Sequence, residues 1–123
     1  MAYINDVDFD VMLASMKTAS ESLHICSSEP ATYGDIATYS LGEKVGPSIA
    51  DPSDKAGGGR ECIVAAITDG ACDGNGTANF WALVKTSATA RLVATGAITT
   101  PQAVISGNPF TLTSFAYGVS DAT

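Results

Sequence analysis

From Glu61 onward, short runs of β-branched and aromatic residues alternate with clusters of Gly, Asp, Asn and Pro, and the turn signals recur at roughly 8–12-residue intervals. Each cluster ends the element before it, so this part of the chain has no room for long helices. What it can build is a set of short strands joined by turns, the pattern of an antiparallel β-sandwich or barrel. The spacing predicts strands over 61–68, 78–85, 91–98, 102–105 and 110–117. The segment between the first two, Asp69–Gly76, reads as a hairpin turn, because its Asp-Gly and Asn-Gly pairs reach positive φ readily. Helix is expected only in the N-terminal third. Phe9, Leu13 and Met16 recur at i, i+4 and i+7, with Met12 and Ala19 widening the stripe, which predicts a helix over about 8–20. Its early acids, Asp8 and Asp10, and its late Lys17 match the helix dipole. Ser22–Ser27 alternates as a strand with Leu23 and Ile25 on one face, and Thr32–Asp35 resembles a capping box opening a short helix. Tyr39, Leu41 and Val45 suggest a second extended stretch. The expected architecture is therefore mainly β: one domain over 1–123, with a short N-terminal helix, a flexible loop at about 51–60 around Gly57-Gly58-Gly59, and a β core over about 61–118.

Composition narrows the functional classes. Six basic against thirteen acidic residues give a net charge of −7, which repels phosphate backbones and argues against a nucleic-acid partner. Charged residues make up 15% of the chain, below the usual quarter or so, while apolar ones make up 46%. A surface so poor in charge suits a subunit whose faces are covered by neighbours. Apolar runs such as Ile63–Ile67 fall far short of the ~20 residues that span a bilayer, so no membrane association is expected. The first ten residues carry Asp6, Asp8 and Asp10 and no base, the reverse of a secretory leader, which predicts synthesis in a cytoplasm.

No catalytic, cofactor or metal site emerges from the chemistry-bearing residues. His24, the sole histidine, shares a strand face with Cys26, but neighbours on one face point in parallel and not at each other. Zinc would need close ligand pairs, and His24, Cys26, Cys62 and Cys72 supply one. The Asp69–Gly76 segment lacks the order and the bidentate Glu of a calcium loop. Gly57–Arg60 lacks the lysine and strand–loop–helix setting of a phosphate cradle. Three cysteines cannot all pair within one chain. Where they do not stay reduced, the expectation is an inter-subunit disulfide, with Cys72 on the exposed tip of the 69–77 turn best placed and Cys26 and Cys62 behind it. Trp81 and Phe80 alternate on an apolar strand; with Phe9 and Met16 they are the candidate subunit-interface residues.

Between Lys85 and Gly107 the only charges are Lys85 and Arg91, and the rest is largely Ala, Thr, Ser and Gly. Uncharged strands with open edges pair with other chains unless covered. Self-association, or cover by a larger shell protein, is the expected remedy.

Three segments carry a family likeness: Leu23-His-Ile-Cys-Ser-Ser-Glu-Pro-Ala-Thr-Tyr33; Ala78-Asn-Phe-Trp-Ala-Leu-Val84 with Ala90-Arg-Leu-Val-Ala-Thr95; and Gln102-Ala-Val-Ile-Ser-Gly-Asn-Pro-Phe-Thr-Leu112. Together they resemble small virion structural proteins of tailed bacteriophages and prophages. The resemblance implies a non-enzymatic protein made in the bacterial host cytoplasm and located in the virion. It implies a capsid decoration (cement) subunit acting as a homo-oligomer, a trimer among the symmetries that fit, with the major capsid protein or another virion protein as partner. The alternatives are a neck, tail or fibre-attachment accessory protein and, from a different class, a carbohydrate-binding β module that uses Trp81.

Overall fold

The structure, a computed structural model, describes residues 6–87 and 89–119. The expected mainly-β antiparallel architecture is what forms. The helix α1 (Asp6–Ala19) leads into a six-stranded sheet ordered β7 (Arg91–Val104), β6 (Gly76–Lys85), β1 (Ser22–Cys26), β2 (Ser40–Val45), β5 (Ile67–Cys72), β8 (Pro109–Leu112). A smaller sheet is ordered β3 (Ser53–Asp54), β4 (Arg60–Val64), β9 (Phe115–Val119), and one short helix, α2 (Asp35–Tyr39), joins β1 to β2. All strand pairs are antiparallel.

β1 occupies the middle of the large sheet because it is apolar on both faces. Leu23 and Ile25 lie opposite Leu83 and Trp81 of β6 and enter the main core. Cys26, on the other face, packs with Ile36 of α2 and with Ala82 and Val84 in a second cluster. The sheet curls because glycines leave room for rings. Phe110 lies over Gly70, and a Cβ at Gly96 would stand 2.5 Å from Cζ2 of Trp81. The Trp81 ring in turn meets Phe115 at a centroid distance of 4.4 Å and joins the large sheet to the small one. The curl brings the outermost strands together: Gln102 Nε2 on β7 donates to the Thr111 carbonyl on β8 at 2.6 Å. α1 buries Phe9 and Leu13 and half-buries Met16, as its stripe predicts. Met12, expected to widen that stripe, instead stands 43% exposed.

Several element boundaries differ from expectation. The predicted 61–68 strand is two strands in two sheets, broken at Ala65–Ala66, where the chain leaves the small sheet for the large one. The 69–77 segment is not a hairpin. Asp69–Cys72 belong to β5, and β5 and β6 are separated in the sheet by β1 and β2. The turn is anchored elsewhere: Asp73 and Gly74 donate backbone N–H groups to the Leu41 carbonyl at 2.9 and 3.2 Å. The expected 91–98 and 102–105 strands form one, with Pro101 lying where the register against β6 shifts, on an edge strand that tolerates a missing donor. The 110–117 run divides between the two sheets at Thr113–Ser114. In the 51–60 segment, β3 pairs with the start of β4 around a glycine turn, with Gly57, Gly58 and Gly59 at φ 86°, 106° and 100°. Residues 1–5 and 120–123 of the predicted domain lie outside the described residues.

Candidate functional site

The pairing of β1 with β2 sets His24 opposite Glu43 and brings Ser40 alongside. His24 Nδ1 lies 2.9 Å from Ser40 Oγ, and Nε2 lies 3.5 Å from Glu43 Oε2. A serine, a histidine and an acid therefore do meet, a grouping that no local spacing in the sequence suggests. It arises only once Ser22–Cys26 and Ser40–Val45 are recognised as antiparallel neighbours. The Ser40 hydroxyl reaches two acceptors, the Gly42 carbonyl at 3.3 Å and, where Nδ1 carries no proton, the ring itself; the tautomer sets which one it takes. Burial lowers the His24 pKa below the ordinary value, against the pull of Glu43 and Asp73. At neutral pH the imidazole is thus an uncharged, hydrogen-bonded strut between two strands.

The other sequence candidates are placed as follows. Cys26, Cys62 and Cys72 are free thiols and all buried. Burial raises the pKa of each, that of Cys26 to about 11. Cys72 closes β5 and is 6% exposed, so it does not sit on an exposed hairpin tip. The inter-subunit disulfide expected there, or at Cys26 or Cys62, lacks an accessible sulfur in this fold. Among the described residues no group of three or more His, Cys, Asp or Glu side chains is placed to hold a metal ion. Arg60, beyond the three glycines, is held on both sides: it donates Nε–H to Asp10 at 2.8 Å and Nη1–H to Asp54. Its guanidinium therefore locks α1 to the β3–β4 hairpin. Trp81 is 7% exposed, with its ring covered by Gly96 and Phe115, so it offers no open platform to a sugar. Phe9 is buried in the same way, while Phe80 and Met16 are half-buried at the margins of the two clusters.

What remains open is an edge. β7 is the outermost strand of the large sheet, and its far side carries no further strand among the described residues. It is fourteen residues long, against four for β8, the sheet's other outer strand. A shallow groove lined by Met12, Ser15, Met16, Arg91, Leu92 and Val93 runs between α1 and the start of β7. On the same helix Val11 stands 67% exposed beside Met12. The sequence flagged the strand by its lack of charge; the groove was not legible, since it needs α1 and β7 side by side. Among the described residues, no helix is long and apolar enough to cross a membrane. No protein-family model, curated protein or solved structure matches this chain.

Proposed function

We propose that this chain is a non-enzymatic structural subunit of a bacteriophage virion, and in particular a capsid decoration subunit that binds across contacts of the shell. The observation that carries the reading is the β7 edge. Its open part precedes the bulge at residues 98–101, carries one charged side chain, Arg91, and lies beside exposed apolar residues on α1. Natural edge strands are normally shortened, charged or covered; an edge left this bare finds its cover in a neighbouring chain. The family likeness of the three segments quoted above supports the virion as the setting, with the major capsid protein as the larger partner. The chemistry-bearing residues are otherwise engaged: His24 braces two strands, Arg60 is clamped by two aspartates, and the thiols are buried.

Quantitative mass spectrometry of particles from the phage or induced prophage that encodes the chain tests the reading. Copies comparable in number to the major capsid protein are expected. A dozen or fewer per particle would move the protein to the neck, tail or fibre attachment, and absence from particles would overturn the proposal.

A further inference from the structure

We infer that the start of β7 is a carboxylate-binding site: the neighbouring chain that covers it presents an acidic side chain beside an apolar one, the acid meeting Lys85 and Arg91 and the apolar group entering the groove against α1. The inference deepens the assembly reading above, on which it rests, by naming the chemistry of the partner's surface.

Charge carries the argument. With six bases against thirteen acids, a base in this chain has no shortage of partners. Three are matched within the fold: Lys17 by Asp51 at 2.6 Å, Lys44 by Asp69 at 3.0 Å and Arg60 by Asp10 at 2.8 Å. Among the described residues Lys85 and Arg91 make no ion pair, yet they sit directly opposite each other on β6 and β7. Like charges opposite one another across two strands repel. Lys85 Nζ donates only to uncharged groups, the Ser87 carbonyl at 2.8 Å and the Ser87 hydroxyl at 3.5 Å. Glu21 lies near enough to feel Lys85, but both its oxygens accept from Thr86 and Ser87. The two bases line one pocket of about 420 Å³, together with Ser15, Thr18 and Glu21.

The balance of charge selects the anion. Two bases against the single acid Glu21 leave one positive charge unmatched, so the pocket suits a monoanion better than a phosphate dianion. A carboxylate is such an anion, and its two oxygens fit the planar guanidinium fork of Arg91. Ser15 and Arg91 also line the neighbouring groove of Met12, Met16, Leu92 and Val93, so the charged pocket runs directly into an apolar one. Shape then selects the source. A small-molecule site encloses most of its ligand, whereas both depressions are shallow and open along the surface. They suit side chains standing on a larger surface, at the same end of β7 where the edge awaits a neighbour.

An NMR titration of the wild-type chain with hexanoate, and with uncharged hexanamide as control, reads this chemistry without any partner. Hexanoate is expected to shift the amides of Met12–Ala19, Lys85 and Arg91–Val93 saturably, with an affinity on the order of millimolar; hexanamide is expected to bind more weakly. In Lys85→Gln/Arg91→Gln the affinity for hexanoate should fall about fivefold or more, and the variant's own spectrum reports whether it is folded. Arg91→Gln alone, at an exposed position, should move it in the same direction. The second measurement is loading onto particles assembled without the chain, where the wild type is expected to bind and the double variant to bind at least about fivefold less. Hexanoate shifts that miss this groove, or that are unchanged in the variant, overturn the inference and leave the virion reading standing. A variant that loses hexanoate yet loads as well as the wild type also overturns it and assigns the pocket to a free carboxylate. A wild type that does not load overturns the virion reading and the partner named here with it.

Discussion

Gly96 has no room for a side chain, because the indole of Trp81 lies directly on its backbone. Adding one methyl there forces the ring or the strand to shift, and overpacking of this kind costs about 1–3 kcal/mol. Gly96→Ala is therefore expected to lower the unfolding free energy by that amount and the urea midpoint with it; an unchanged midpoint would mean that Trp81 is not seated as described. Tyr117 presents the opposite case. Its hydroxyl is buried, with no oxygen or nitrogen partner among the described residues and only the weakly bonding Cys62 thiol beside it. Removing an unsatisfied buried group is neutral or stabilising. Tyr117→Phe should hold or raise stability, by up to about 1 kcal/mol, and a clear loss in the same denaturation assay would show that the hydroxyl is satisfied after all. His24 sets a pH dependence. Because burial lowers its folded pKa below the ordinary 6.5, the unfolded chain binds the proton more readily. Stability is then full above pH 6.5 and declines as pH falls through that value toward the folded pKa. As His24 is the only histidine, His24→Gln should flatten the fall in stability that begins below pH 6.5. A slope that survives the substitution would contradict this account.

Among the elements, the β6–β7 connection is held by a single carboxylate. Glu21 accepts from the Thr86 and Ser87 backbone N–H groups at 2.7 and 2.8 Å and from the Ser87 hydroxyl at 2.6 Å. These bonds, the Ser87 hydroxyl foremost, bring its pKa down from 4.5 to about 2. The contribution is present above pH 4.5 and is lost as pH falls toward 2. Glu21→Gln should speed amide exchange at Thr86 and Ser87 at neutral pH, and equal exchange rates would show that the loop stands without it. The loop's anchor could not be read in the sequence, because acceptor and donors lie 65 and 66 residues apart. The same distinction separates what was legible elsewhere. The α1 stripe of Phe9, Leu13 and Met16 is local periodicity, and it set the helix and its buried face correctly. The break at Ala65–Ala66 carries no turn residue, so 61–68 read as one strand. Asp73–Gly76 carries every hairpin signal, yet Leu41, far away in sequence, decides its course. Turn chemistry fixes where a strand ends; it does not fix which strand comes next in the sheet.

At the scale of the whole molecule, the curl that Gly70 and Gly96 permit brings β7 toward β8, but one side-chain bond from Gln102 closes only part of the gap. The N-terminal stretch of β7 stays open beside the α1 groove. The low charge of the surface and this bare edge were both visible as composition, in the run from Lys85 to Gly107 with two charges. The His24–Ser40–Glu43 grouping was not, and its bonding gives the ring a bracing role. The proposed function rests on this edge. A cryo-EM map of the intact particle tests this most directly. The prediction is density for a neighbouring chain against the start of β7 in every copy; a map in which that stretch faces solvent throughout would contradict it.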